Sequence, residues 1–91
     1  NAEDRLRGDV IERLMCDSSV DLADIARRHD TDVSVFYDDL DALIPMAEDQ
    51  LVNIDGTHVQ VSIKGKPFLR TIASAFDSYL RKGTARHSVA V

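Results

Sequence analysis

Cysteine occurs once in this chain, at position 16, and tryptophan not at all. A single thiol excludes an internal disulfide framework and fits a reducing cytoplasm. No stretch approaches the roughly 18 consecutive apolar residues of a membrane helix, and no charged-then-apolar signal segment opens the chain, so no membrane association is expected. There is no Ser/His/Asp arrangement, phosphate-binding glycine loop or metal-spaced histidine pair. His29, His58 and His87 are far apart in loop or hairpin settings, where histidines are ordinary surface residues. Asp38 and Asp39 are adjacent and so diverge on a helix, which disfavours acid/base cooperation. Neither a catalytic residue nor a metal ligand is expected, and Cys16 reads as a small residue at a helix end.

What is present is one small domain. Ninety-one residues with 44% hydrophobic content can bury about 60–65% of the surface the unfolded chain exposes, enough for a single modest core over 1–91. The chain opens at Asn1, without Met, inside what reads as a helix start. It is therefore expected to be a piece of a longer protein. The net charge of −5 hides a partition: residues 1–55 hold fifteen carboxylates and five arginines, whereas residues 56–91 hold six bases (Lys64, Lys66, Arg70, Arg81, Lys82, Arg86) and Asp77 alone. Either this is solvated surface charge, or the basic third meets something anionic.

The first helix is expected from about Glu3 to Met15, with Leu6, Val10, Ile11 and Leu14 on one stripe. Arg7 falls within that stripe, where it must snorkel or find a carboxylate. Gly8 costs such a helix about 1 kcal/mol relative to Ala. Asp17-Ser18-Ser19 reads as a loop, and Asp21 caps a short helix through about Arg28, with Leu22, Ile25 and Ala26 inward. Thr31-Asp32 is a tight connection into a third helix carrying Val33, Phe36, Tyr37, Leu40, Leu43 and Ile44 on one side and Asp38, Asp39 and Asp41 on its exposed side; Pro45 ends or kinks it.

Around Asp55-Gly56, a two-residue type I′ turn signal, Leu51–Ile54 and His58–Ile63 form the strands of a hairpin. Gly65 and Pro67 stop the strand and open a last helix from about Pro67 to Leu80. Its apolar arc of about 160° (Phe68, Leu69, Ile72, Phe76, Tyr79) is wider than the roughly 100° that covers one core. This set is expected to serve interdomain packing as well. Residues 83–91 lack helical period and form a mobile or docked tail. The fold class is α+β and mainly helical: three helices, a β-hairpin wing and a C-terminal helix, in the order of a winged-helix domain. Three carboxylates on the third helix oppose a nucleic-acid role.

Several of these segments recur together. Arg5 to Asp17 followed by Asp21-Leu22, then Leu51-Val52, the turn at Gly56, Lys64-Gly65-Lys66, and Arg70-Thr71-Ile72 leading to Phe76-Asp77-Ser78-Tyr79-Leu80 resemble the C-terminal domain of oxygen-independent coproporphyrinogen III oxidase, of the radical S-adenosylmethionine superfamily. The resemblance covers nearly the whole chain. Gly8 departs from it where a second basic residue is more common, and Gln50 where a glycine is usual at a left-handed helix end.

The resemblance implies an enzyme of haem biosynthesis that oxidatively decarboxylates two propionates of coproporphyrinogen III to give protoporphyrinogen IX. That chemistry uses S-adenosylmethionine and a [4Fe-4S] cluster held by three cysteines, which this chain with Cys16 alone does not supply. Both are implied for a preceding catalytic domain, the expected partner of this one, and neither for these 91 residues. Coproporphyrinogen carries four propionates, so Lys66, Arg70, Arg86 and His87 are the candidate substrate contacts. A haem-trafficking paralogue and a stand-alone winged-helix module for nucleic acid or protein remain the alternatives.

Overall fold

The computed structural model describes residues 2–77. Four α-helices and a three-stranded antiparallel sheet follow one another as α1 (Ala2–Asp17), β1 (Ser19–Asp21), α2 (Leu22–Arg28), a 3₁₀ turn (Val33–Phe36), α3 (Tyr37–Glu48), β2 (Val52–Asp55), β3 (His58–Val61), a second 3₁₀ turn (Lys66–Phe68) and α4 (Leu69–Ser74). The strands lie in the order β1-β3-β2. Val20 pairs with Val59 and Val59 with Ile54, while Val52 pairs with Val61. This alternation turns Val20, Val52, Val59 and Val61 onto the helices. Leu6, Val10 and Leu14 of α1, Leu22 and Ile25 of α2, Phe36, Leu43 of α3, and Ile72 and Phe76 complete one core.

With few glycines available, the chain ends its helices on other residues. Ser18, Asp30 and Gln50 adopt left-handed φ of 60, 54 and 65°. After α2, Thr31 N–H donates to Ala26 and Asp30 N–H to Arg27; after α3, Leu51 N–H donates to Met46 and Gln50 N–H to Ala47. Both are Schellman ends, and α1 closes with the simpler bond from Ser18 N–H to Leu14. One or two of the carbonyls left over at each terminus are thereby satisfied, at the cost of a left-handed side-chain-bearing residue.

The structure departs from the sequence reading at five places. Ser19–Asp21 is a strand, because its extended backbone completes the free edge of β3; Asp21 is at once the end of β1 and the cap that accepts from Ala23 N–H. The hairpin loop is Gly56-Thr57, since Asp55 still pairs with His58. Only Gly56 has positive φ, 62°, as in the type II′ turn, whereas type I′ needs two such residues. Pro45 lies within α3, which runs on to Glu48; the proline removes one donor without stopping the helix. Asp39, expected on a solvated face, is fully buried. The final helix stops at Ser74, where the Ser74 hydroxyl donates to the Thr71 carbonyl at 2.6 Å, and Ala75, Phe76 and Asp77 continue with tighter i−3 bonds. Asn1, Tyr79, Leu80, Arg81, Arg86, His87 and the expected tail 83–91 lie outside the described residues.

Asp39 is buried because it meets Arg7. One guanidinium nitrogen of Arg7 donates to both Asp39 carboxylate oxygens, at 2.9 and 2.8 Å, and to the Phe76 carbonyl at 3.3 Å. The other terminal nitrogen donates to the Val35 carbonyl at 3.3 Å. The guanidinium carbon lies 5.7 Å from the Phe36 ring centre, and Phe36 meets Phe76 edge to face at 6.3 Å. At the head of the first 3₁₀ turn, Asp32 accepts from Ser34 N–H at 3.1 Å. Hydrogen bonding with the Ser34 side chain, and then from its backbone N–H, holds the Asp32 carboxyl below its usual range. The cap is thus in place above the ordinary carboxylate pKa and weakens as pH falls through the lowered one.

Two stability predictions follow from this architecture. A Cβ at Gly8 meets nothing within 4 Å, so Gly8→Ala should stabilise by about 0.5–1 kcal/mol, while Gln50→Gly, relieving the left-handed position, should stabilise by about 1 kcal/mol. Urea denaturation of each variant checks both signs. Arg7→Met or Asp39→Leu alone should cost about 3–5 kcal/mol by stranding a buried charge, whereas the double variant should recover most of that loss. A double-mutant cycle reads the coupling directly; additive losses would show that the two charges do not depend on each other.

Candidate functional site

Lys64, Lys66 and Arg70, the described bases of the second half, are positioned by the junction between β3 and α4. Ser62 is its anchor. Its hydroxyl lies 2.6 Å from the Gln50 carbonyl, to which it donates, and 3.0 Å from that of Leu51, and it accepts from Gly65 N–H at 3.0 Å. Its own N–H also reaches the Leu51 carbonyl, at 3.0 Å. Gly65 is buried against the same strand entrance, and any Cβ there would collide with the Leu51 carbonyl oxygen. Only glycine permits this approach.

From that anchor the chain turns tightly three times. Gly65 N–H donates to Ser62, Lys66 N–H to Ile63 and Phe68 N–H to Gly65, and Pro67 sits in the first turn of the helical run, where no donor is needed. The outcome is a compact ridge. Ile63 is 89% exposed and Phe68 50% exposed at its surface, with exposed Lys64 and Lys66 between them and Arg70 in the first turn of α4.

Charge pairing separates these cations from most of those in the acidic half. Arg7, Arg13, Arg27 and Arg28 each hold a carboxylate within 4 Å. Among the described residues, Lys64, Lys66 and Arg70 carry no hydrogen bond or ion pair from their side chains. They are left for an anion from elsewhere.

The structure therefore brings together two of the four expected substrate contacts, Lys66 and Arg70; Arg86 and His87 lie outside the described residues. Of the expected interdomain set, Phe68 is exposed and Leu69 half-buried, but Ile72 and Phe76 are wholly enclosed in the domain's own core. Their share of the wide apolar arc is taken up by α1 and Phe36. Ile63 and Lys64, in neither expected set, are exposed on the same junction. The signal was there in Ser-Ile-Lys-Gly-Lys-Pro, where an isoleucine follows the last alternating strand residue directly before a turn.

Elsewhere the groups with reactive chemistry are committed or dispersed. His29 Nε2 lies 3.1 Å from Asp9, and His58 lines a cleft of ≈ 230 Å³ with Arg13 and Arg28. Cys16 is free and exposed at the end of α1. Among the described residues no three His, Cys, Asp or Glu side chains converge as a metal site. No helix among them is long and apolar enough to cross a membrane.

Against known proteins, the family model described as the HemN C-terminal domain matches residues 1–68. The oxygen-independent coproporphyrinogen III oxidase of Bradyrhizobium diazoefficiens is 39% identical over 89 residues, 98% of this chain and 20% of the relative. That of Escherichia coli is 38% identical over 81 residues, 88% of this chain and 18% of the relative. The solved structure of the Escherichia coli coproporphyrinogen III oxidase HemN, described as a radical SAM enzyme, superposes with a TM-score of 0.76 at 36% identity, over 87% of this chain and 18% of that one. The chain thus spans about a fifth of the length of these relatives. With the family model matching residues 1–68 and relatives 39% and 38% identical over 98% and 88% of its length, the chain belongs to the HemN C-terminal domain family.

Proposed function

We propose that this domain is the C-terminal part of an oxygen-independent coproporphyrinogen III oxidase, packed on a preceding catalytic portion whose substrate cavity it helps to close. The carrying observation is the cluster of Lys66 and Arg70 on a rigid junction, exposed and unneutralised among the described residues, in a chain whose first half is strongly acidic. A tetra-anionic porphyrinogen is the kind of ligand such cations suit: each propionate accepts a charge-assisted hydrogen bond, and a guanidinium takes it in a planar fork. Arg86 and His87 extend the same candidate set.

The radical chemistry belongs to another part of the longer enzyme in this reading. A [4Fe-4S] cluster that activates S-adenosylmethionine needs three thiolates from the protein, and the chain has Cys16 only. The residues present do not fit the group, so no reaction step is assigned to them; their part is to bind, orient and shield. A haem-trafficking paralogue is disfavoured, because the curated relatives matched carry the oxidase name.

The order helix, strand, two helices and a two-stranded hairpin, with β3 central, supports a winged-helix ancestry for the fold. It does not bring the DNA-binding use of that fold with it. On α3, Asp38, Asp41 and Glu48 remain exposed, a face that phosphate would repel.

In the full-length enzyme, Arg70→Ala and Lys66→Ala should each lower kcat/KM by about tenfold, ~1.4 kcal/mol of lost substrate stabilisation, while iron content is unchanged. Arg27→Ala, on the acidic half, should leave kcat/KM as it is. Anaerobic turnover assays decide this; near-wild-type values for both junction variants would sink the substrate-facing role. In a separate titration at physiological salt, binding to duplex DNA should be weaker than micromolar. Tighter, salt-dependent binding would favour the winged-helix regulator instead.

A further inference from the structure

We infer that the Ile63 to Phe68 ridge, with Ile63 as its anchor, is the surface by which this domain docks on the preceding portion of its own chain, seating in an apolar hollow rimmed by carboxylates. This rests on reading the chain as the C-terminal part of a longer oxidase. It assigns the contact to a surface different from the apolar face of α4, whose Ile72 and Phe76 are consumed internally.

Exposure and rigidity together carry the argument. An isoleucine 89% exposed on a disordered loop would mean little, since single apolar residues at surfaces are normal. Here three consecutive turns and the Ser62 anchor hold the backbone on both sides of it, and the glycine that makes the turn possible tolerates no side chain. The same fixed backbone presents Phe68, half-exposed, and the cation Lys64. An aliphatic and an aromatic side chain beside a cation form a surface matched to apolar contact with an acidic rim.

Size decides which occupant the ridge suits. A stable complex between free molecules buries at least about 1,000 Å², more than two apolar side chains and their neighbours provide. A tethered partner needs less, because the linker raises its effective concentration to the millimolar range. About four-fifths of the length of the matched relatives lies outside this chain, and that portion precedes a C-terminal domain. It enters at α1, which packs on α4. The ridge follows Val61, whose N–H donates to the Ser18 carbonyl just beyond the far end of α1, so the preceding portion reaches it by extending along α1, about 24 Å at helical rise.

The test uses the full-length enzyme. Ile63→Asp should raise at least tenfold the rate at which limited trypsin digestion releases the C-terminal piece, and should speed amide exchange over residues 62–69, with exchange at Leu43 and Val59 unchanged. Ile63→Ser, which adds no charge, should act in the same direction more weakly. Ile44→Asp, on the exposed face of α3, should match wild type. Unchanged digestion and exchange for both Ile63 variants, or an equal effect of Ile44→Asp, would overturn the assignment. So would a wild-type dimer in sedimentation that Ile63→Asp converts to monomers, since a second copy would then be the occupant. Release by Ile63→Asp with full activity in Arg70→Ala and Lys66→Ala would leave the docking surface standing and remove the substrate role; the reverse pattern would do the opposite.

Discussion

The Arg7–Asp39 pair is the interaction on which the rest of the domain depends. Its partners come from α1, α3, the 3₁₀ turn before α3 and the end of α4, through Asp39, Val35 and Phe76. Removing a guanidinium and a carboxylate from water is costly, and the pair compensates only because one guanidinium nitrogen reaches both carboxylate oxygens and backbone carbonyls take up further donors. Arg7 Nε is the exception, buried without a hydrogen bond and 3.8 Å from Glu3. Apolar residues of the same volume would fill this space with less penalty. What the ions add is direction, because a charge has one acceptable partner where an isoleucine has many.

That direction has consequences at the other end of α4. Phe36 and Phe76 pack on each other beside the guanidinium, which sets where α4 lies along α1. The orientation of α4 in turn sets where Arg70 points and where the Lys66–Phe68 turn emerges. A second constraint acts from the sheet, through Ser62 and Gly65 against Gln50 and Leu51. The ridge is therefore held between a buried ion pair and a strand entrance, and Lys64, Lys66 and Arg70 stand on a rigid base while four of the five arginines of the acidic half have carboxylate partners.

Much of this was legible beforehand. The stripes of α1 and α2, the Asp21 cap, the hairpin around Gly56 and the start of the last helix follow from periodicity and turn chemistry, which are local. The resemblance to the oxidase family also rested on local segments in a common order. Less legible were features where two distant parts decide together. β1 is three residues long and has no pattern of its own; it is a strand because β3 offers an open edge. The hairpin turn moved by one residue because register was decided by Asp55 pairing with His58. Ile63 looked like the end of a strand, yet the requirement for glycine beneath Leu51 turned it outward.

The residues of this chain by themselves determined the number of helices, the apolar stripes of α1 and α2 and the uneven distribution of charge, because these depend on composition and on the 3.6-residue period. They also determined that Arg7, within an apolar stripe, needed a partner. Only tertiary structure decided which carboxylate that would be. Asp38, Asp39 and Asp41 are alike in sequence, but rotation of α3 about its axis, set by burying Leu43 and Phe36, points Asp39 alone inward among the three. A difference of 100° per residue along a helix converts neighbours in sequence into a buried ion and two solvated ones.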